Sequence, residues 1–343
     1  MSGNLQNKIK TLFPGYFAIV MATGIVAIAS KRVGIHVLDI VLLTIAVLAF
    51  VVLIGMTVVR VISFRSELLA DFRNAAKAPG YFTMVAGSGV LGTGLLRIAG
   101  QPQLAWGLWI FAILLYTFLI HAFLFSFMTV KKEGTLVGSL NGGWLLLVVG
   151  LQSIASLGAM LTETTSNHGL LMALSVSAFL LASGMYLLLI ISLTMRLILL
   201  PLEPEQLVPT YWIMMGAAAI STLAGAELSG HATMWTLGIN VVPFLHGLTF
   251  IFWVVATSWI PLLIMLGFWR HVTRKVPIRY EPMMWSIVFP LGMYTSATHA
   301  MIKAFSIHDL QQLPLILFPF AFVAWLLVGA GMVGGGLRQS KGA

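Results

Sequence analysis

The 343-residue sequence contains no cysteine, which excludes a disulfide scaffold, thiol chemistry and any metal held by thiolates. Charge is nearly as scarce. Asp, Glu, Lys and Arg make up only 8% of the chain against 59% hydrophobic residues, too few to keep the surface of a soluble domain of this length wet. Asp and Glu number ten and are nearly absent from the long apolar runs, so a carboxylate relay for sodium or protons has little to build on. There is no GxxxxGK[ST] loop to hold ATP. No nucleophile–base pair stands out, and no two His pair at i, i+4 with a further carboxylate to hold a metal. Neither an enzyme nor a cofactor is expected. A net charge of +9 would suit nucleic acid. In a membrane chain its ordinary source is Lys and Arg in cytoplasmic loops, so no nucleic acid is expected.

What the sequence does have is long apolar runs. Roughly 20 apolar residues span a bilayer as helix, and ten such runs lie near 14–30, 37–62, 80–98, 103–129, 141–160, 168–196, 209–227, 240–267, 283–303 and 311–336. They are too long for barrel strands and do not alternate, so a β-barrel is excluded. The connections are short, which predicts one all-α transmembrane domain over residues 1–343. The first run ends Ala27-Ile28-Ala29, imitating a signal cleavage site. It carries the repeat described next, so it is expected to stay in the mature fold. Fifteen of the 19 Lys and Arg, among them Lys8, Arg60, Lys131, Lys132, Arg196 and Arg270, fall on one side of a ten-span topology. Only Lys31, Arg32, Arg97 and Lys303 fall on the other, a bias that puts both termini in the cytoplasm.

The runs repeat. Pro14-Gly15-Tyr16-Phe17 recurs as Pro79-Gly80-Tyr81-Phe82, at an offset of 65 that also lays Thr23-Gly24-Ile25 on Ser88-Gly89-Val90 and Arg32 on Arg97. Later odd-numbered runs open Gly142-Gly143-Trp144, Pro209-Thr210-Tyr211-Trp212 and Pro282-Met283-Met284-Trp285, so five units step by 65, 63, 67 and 73 residues. Proline suits a first helical turn, and the aromatic beside it suits the headgroup level. Odd runs are rich in small residues such as Gly87, Gly92, Gly150 and Ala217, whereas even runs are bulky, with Phe118, Phe123 and Phe125 in the fourth. Small residues allow close helix approach. Two readings follow: tight packing alone, or an inner ring of five odd helices around a narrow path, sheathed by the even ones.

Phe13-Pro14-Gly15-Tyr16-Phe17 with Met21-Ala22-Thr23-Gly24 resembles the first helix of the tellurite-resistance/dicarboxylate transporter family. The stretch Trp285-Ser286-Ile287-Val288-Phe289-Pro290-Leu291-Gly292-Met293-Tyr294 resembles its ninth helix. The family includes bacterial tellurite-resistance protein A, fungal malate permease, sulfite efflux pumps and plant slow anion channels, and the resemblance covers essentially the whole chain. It implies five helical hairpins in quasi-fivefold arrangement, with inner odd helices lining an anion pore. A phenylalanine of the ninth helix, here Phe289, plugs that pore. It further implies a homotrimer in a bacterial-type inner membrane, with chloride, nitrate, sulfite or malate-like dicarboxylates as the partners carried. The alternative is a coupled C4-dicarboxylate carrier or an efflux protein linked to tellurite or sulfite. The long phosphorylatable tails of the plant channels are missing, so kinase gating is not implied.

Through the repeat, Phe289 aligns with Met21, Ala86, Val149 and Gly216, and Gly24, Ser88, Gly89, Pro290 and Gly292 complete the expected lining. Pro290 frees a carbonyl one turn back and bends the axis. At the outer ends, Arg32, Arg97 and Glu227 share one repeat position, with Glu163 and Lys303 three residues beyond it. These charges are expected either to form a mildly positive mouth that attracts anions or to anchor helices, for instance through an Arg97–Glu227 ion pair. His121 and His246 read as packing residues on even helices, and the role of His299 is left open.

Overall fold

The computed structural model describes residues 3–129 and 140–341, and the regular elements among them are all helical. Lys131 and Lys132 lie outside the described residues. The long helices are α1 (Ala18–Arg32), α2 (His36–Ser63), α3 (Phe82–Arg97), α4 (Pro102–Thr129), α5 (Leu146–Leu161), α6 (His168–Leu199), α7 (Ile213–Gly230), α8 (Gly238–Phe268), α9 (Trp285–Phe305) and α10 (Leu313–Lys341). Counting the short turns that lead into them, eight are long and apolar enough to cross a membrane. The other two, α3 and α9, are diluted by Gly, Ser and Thr because their surfaces meet protein on nearly every side.

Each odd helix begins with a tight 3₁₀ turn: Pro14–Phe17, Ala78–Tyr81, Gly142–Leu145, Pro209–Trp212 and Pro282–Met284. Four of these turns hold proline near their start, where its missing N–H costs nothing. The third has none and is capped instead by Asn141, whose side-chain oxygen accepts the Gly143 N–H at 2.8 Å. Gly142 abuts the Thr210 carbonyl, so any side chain there would collide with the main chain of the next unit.

The packing order is cyclic. α1 packs on α3, α3 on α5, α5 on α7 and α7 on α9, and α9 returns to α1. Each even helix lies chiefly on the odd helix before it and more lightly on the one after. The odd helices are buried almost all round, whereas the even ones expose Leu48, Phe118, Leu188, Ile251 and Phe320. In water such a surface would be a liability, and in lipid it is what the solvent requires. Close approach between inner helices rests on glycine. A Cβ added to Gly216 of α7 would sit 2.7 Å from the Pro290 ring of α9, and one on Gly89 of α3 would sit 2.6 Å from Ser153 Oγ of α5.

Candidate functional site

Contacts fix which way each inner helix faces. On α9, Gly292 meets Ile25 and Val26 of α1, and Pro290 meets Gly216 of α7. On the opposite side, Tyr294 and Thr298 bond Thr257 and Trp253 of the outer helix α8 at 2.7 and 3.0 Å. At about 100° per residue, Phe289, Met293 and Ser296 fall on the remaining arc, between the two inner neighbours and away from α8. On α5, Ser153 meets Gly89 of α3, Gln152 bonds Ser221 of α7 at 3.1 Å, and the Ile154 carbonyl accepts from Trp109 of the outer α4 at 3.0 Å. That leaves Val149 and Ser156 inward. On α1, Gly24 meets Val90 of α3, Val26 lies toward α9, and Thr23 accepts from Trp325 of α10 at 3.0 Å, which turns Met21 and Arg32 inward. On α3, Gly89 faces α5, Val90 faces α1 and Gly94 faces Leu43 of α2, which turns Ala86 and Thr93 inward.

Met21, Ala86, Val149 and Phe289, four of the five repeat-aligned residues, therefore share the inward side, and each is at most 1% exposed. The fifth, Gly216, faces Pro290 instead. Gly24, Gly89 and Gly292 also face neighbouring inner helices, and the Ser88 hydroxyl donates to the Met84 carbonyl at 2.8 Å. The absent Cβ of these glycines is used up in helix approach. Pro290 stands inside α9 and leaves the Ser286 carbonyl without its helical donor.

The two ends of the axis differ. At the end that carries the 3₁₀ turns, a cavity of about 290 Å³ takes lining from all five units: Gly15, Thr83, Asn141, Thr210 and Ser286, with Lys77 among them. At the far end the charges are paired. Arg32 Nη2 meets Glu227 Oε1 at 2.7 Å, and Arg97 grips both oxygens of Glu163 at 2.9 and 3.3 Å. The partners are thus Arg32–Glu227 and Arg97–Glu163, not Arg97–Glu227. Arg32–Glu227 joins α1 to α7, which are not neighbours in the ring, and its side chains are only 15% and 12% exposed. His231 ties the pairs together, with Nε2 2.9 Å from Glu163 and Nδ1 2.6 Å from the Glu227 main-chain carbonyl. Lys303 is exposed and lines a separate cavity of about 430 Å³ with His299, Ser306 and Gln311.

Several of these features escape inspection of the sequence. The inward hydroxyls of Thr93, Ser156 and Ser296 do carry a signal, since each stands seven residues after a repeat-aligned position. The ion-pair partners carry none, being 195 and 66 residues apart. Of the histidines, His121 bonds the Thr117 carbonyl at 2.7 Å, His246 lies 4.1 Å from the Phe305 ring, and His299 Nδ1 is buried without a partner.

The chain is similar to known membrane proteins along most of its length. The model of a family described as voltage-dependent anion channel matches residues 11–333. An uncharacterized transporter of Methanocaldococcus jannaschii is 25% identical over 93% of this chain and 92% of its own length, and a second from the same organism is 24% identical over 94% of each. An uncharacterized membrane protein of Mycobacterium tuberculosis is 37% identical across 131 residues, which is 38% of this chain and 63% of the relative.

Proposed function

Because the chain belongs to the voltage-dependent anion channel family, whose model spans residues 11–333, we propose that it passes small anions along the axis of its five inner helices, past a gate formed by Phe289. The protein is a multi-pass membrane transporter of an anion-carrying family. The finer reading has ten spans in quasi-fivefold order, the 3₁₀ turns and both termini at the cytoplasmic face of an inner membrane, and a homotrimer with one path per subunit. Chloride, nitrate, sulfite and malate-like dicarboxylates are the anions to compare.

The observation that carries this reading is the position of Phe289 between α1 and α7, on the side shared by Met21, Ala86 and Val149. An apolar plug of that kind stops ions because a dehydrated charge in a hydrophobic constriction finds no replacement ligands. Turning one ring costs far less than moving a helix, so opening can be local. Wild type and Phe289→Ala are to be compared in proteoliposomes for current and flux. The variant is expected to raise anion conductance severalfold at unchanged expression and oligomeric state. A correctly folded variant that conducts no more than wild type would remove Phe289 from the gate, and flux that saturates and requires a coupling ion would favour a carrier.

A further inference from the structure

Among the described residues, nine serines are buried. Six donate to a nearby main-chain carbonyl: Ser30 to Ile35, Ser88 to Met84, Ser153 to Gly150, Ser175 to Leu171, Ser183 to Phe179 and Ser221 to Ala217. That is the ordinary state of a serine in an apolar helix. Ser286 opens onto the cavity at the 3₁₀ end. Ser156 and Ser296 are different. They are 3% and 0% exposed, and neither Oγ has a hydrogen-bond partner.

Both lie on the inward arcs. Each stands seven residues beyond a gate-level residue, Val149 on α5 and Phe289 on α9, and so about two helical turns further along the axis. α5 and α9 are not neighbours in the ring, so the two hydroxyls approach the axis from different sides. Negative charge is scarce around them, although Gln152 Oε1, one turn before Ser156 on α5, is also buried without a partner. The inner helices contain a single acid, Glu227, and it is committed to Arg32 at 2.7 Å. Buried donors left without acceptors are costly, and a site of this kind is completed by a ligand that accepts hydrogen bonds and carries negative charge. A cation would instead need carboxylates or free carbonyls.

We infer that Ser156 and Ser296 form a binding site for a small inorganic anion, of the size of a halide or nitrate, between Phe289 and the Arg32–Glu227 pair. The inference rests on the pore reading in one respect, that the anion arrives along the axis. Hydroxyls suit such a site because they replace part of a hydration shell without holding the ion too tightly to leave.

Two measurements test it. The first is independent of conduction: anomalous scattering from crystals of wild type and Phe289→Ala soaked in bromide. Bromide density within hydrogen-bond reach of the two hydroxyls is expected, and its absence from both proteins would discard the site. The second is selectivity in the Phe289→Ala background, as the nitrate-to-chloride permeability ratio. Ser156→Ala with Ser296→Ala should raise that ratio roughly tenfold, the order expected for lost hydrogen bonds to a charged group, because chloride depends more on replacement ligands. Ser156→Thr with Ser296→Thr keeps the hydroxyls and should keep the ratio. Ser153→Ala, whose hydroxyl is already used by Gly150, should not move it. An unchanged ratio in the double Ala variant, or an equal shift in Ser153→Ala, would reject the serine site while leaving the gate standing. Failure of Phe289→Ala to conduct would reject the gate, and the bromide result would still decide the site.

Discussion

Arg60 is 4% exposed, yet its guanidinium is a full positive charge. It is held by Asp71 at 2.6 Å and donates to the Tyr81 hydroxyl at 3.2 Å, while Lys77 takes the other Asp71 oxygen at 3.4 Å. Removing one member of such a pair strands the other. Asp71→Ala is therefore expected to lower stability by about 3–5 kcal/mol in thermal unfolding in detergent, and an apolar replacement of both Arg60 and Asp71 should recover most of that loss. A silent single variant would show that water reaches Arg60. Arg196 repeats only the tyrosine contact, donating to the Tyr211 hydroxyl at 2.7 Å in the opening turn of the fourth unit, with Gln206 at 3.5 Å as its other partner. At this scale the sequence was readable only where alignment carried the information. Phe289 could be set opposite Met21, Ala86 and Val149 because unit starts fix the count. Glycine could not be assigned a side, since a missing side chain serves a lumen and a helix contact equally well. Arg97 had two acids at the same end to choose from, and Glu227 is already taken by Arg32 while Glu163 meets Arg97 at 2.9 Å.

Among elements, the contrast between small-residue odd helices and bulky even ones was the legible feature, and it follows from what each surface meets. A helix that touches protein on all sides gains from small residues that let backbones approach, while one that touches lipid gains from Leu, Ile and Phe. The same cause weakens the membrane signal of α3 and α9, whose Gly, Ser and Thr lower their hydropathy. The contact between α7 and α9 is the tightest test of this account. Gly216→Leu should force Pro290 away from a 2.7 Å approach and cost roughly 1–3 kcal/mol by overpacking. The check is thermal unfolding set beside Gly247→Leu on α8, where no atom lies within 4 Å of an added Cβ. Equal effects from the two substitutions would mean that α7 and α9 are free to separate.

For the whole molecule, the lack of cysteine makes topology easy to measure, because any thiol introduced is the only one. Ser166 and Glu203 are exposed in the connections before α6 and after it. With cytoplasmic termini, Ser166→Cys should react with an impermeant maleimide on intact spheroplasts, and Glu203→Cys only after lysis. The opposite pattern would invert the protein in its membrane and exchange the two ends of the proposed path. The all-helical membrane fold and the alternation of its helices could be read from the sequence, and an inner ring was one of two readings the repeat allowed; the choice between them could not be read, since no local pattern records which distant units end up side by side. The closure of α9 on α1 has a consequence of its own. In a closed ring no unit is first or last: every inner helix has one inner neighbour on either hand, and α10 reaches across the seam to α1 through the Trp325–Thr23 bond at 3.0 Å. A gene rewritten to start at the second unit and finish with the first would encode the same set of neighbours. The order in which the ribosome delivers the units is set by where the chain is cut, and the contacts that hold the molecule do not depend on it.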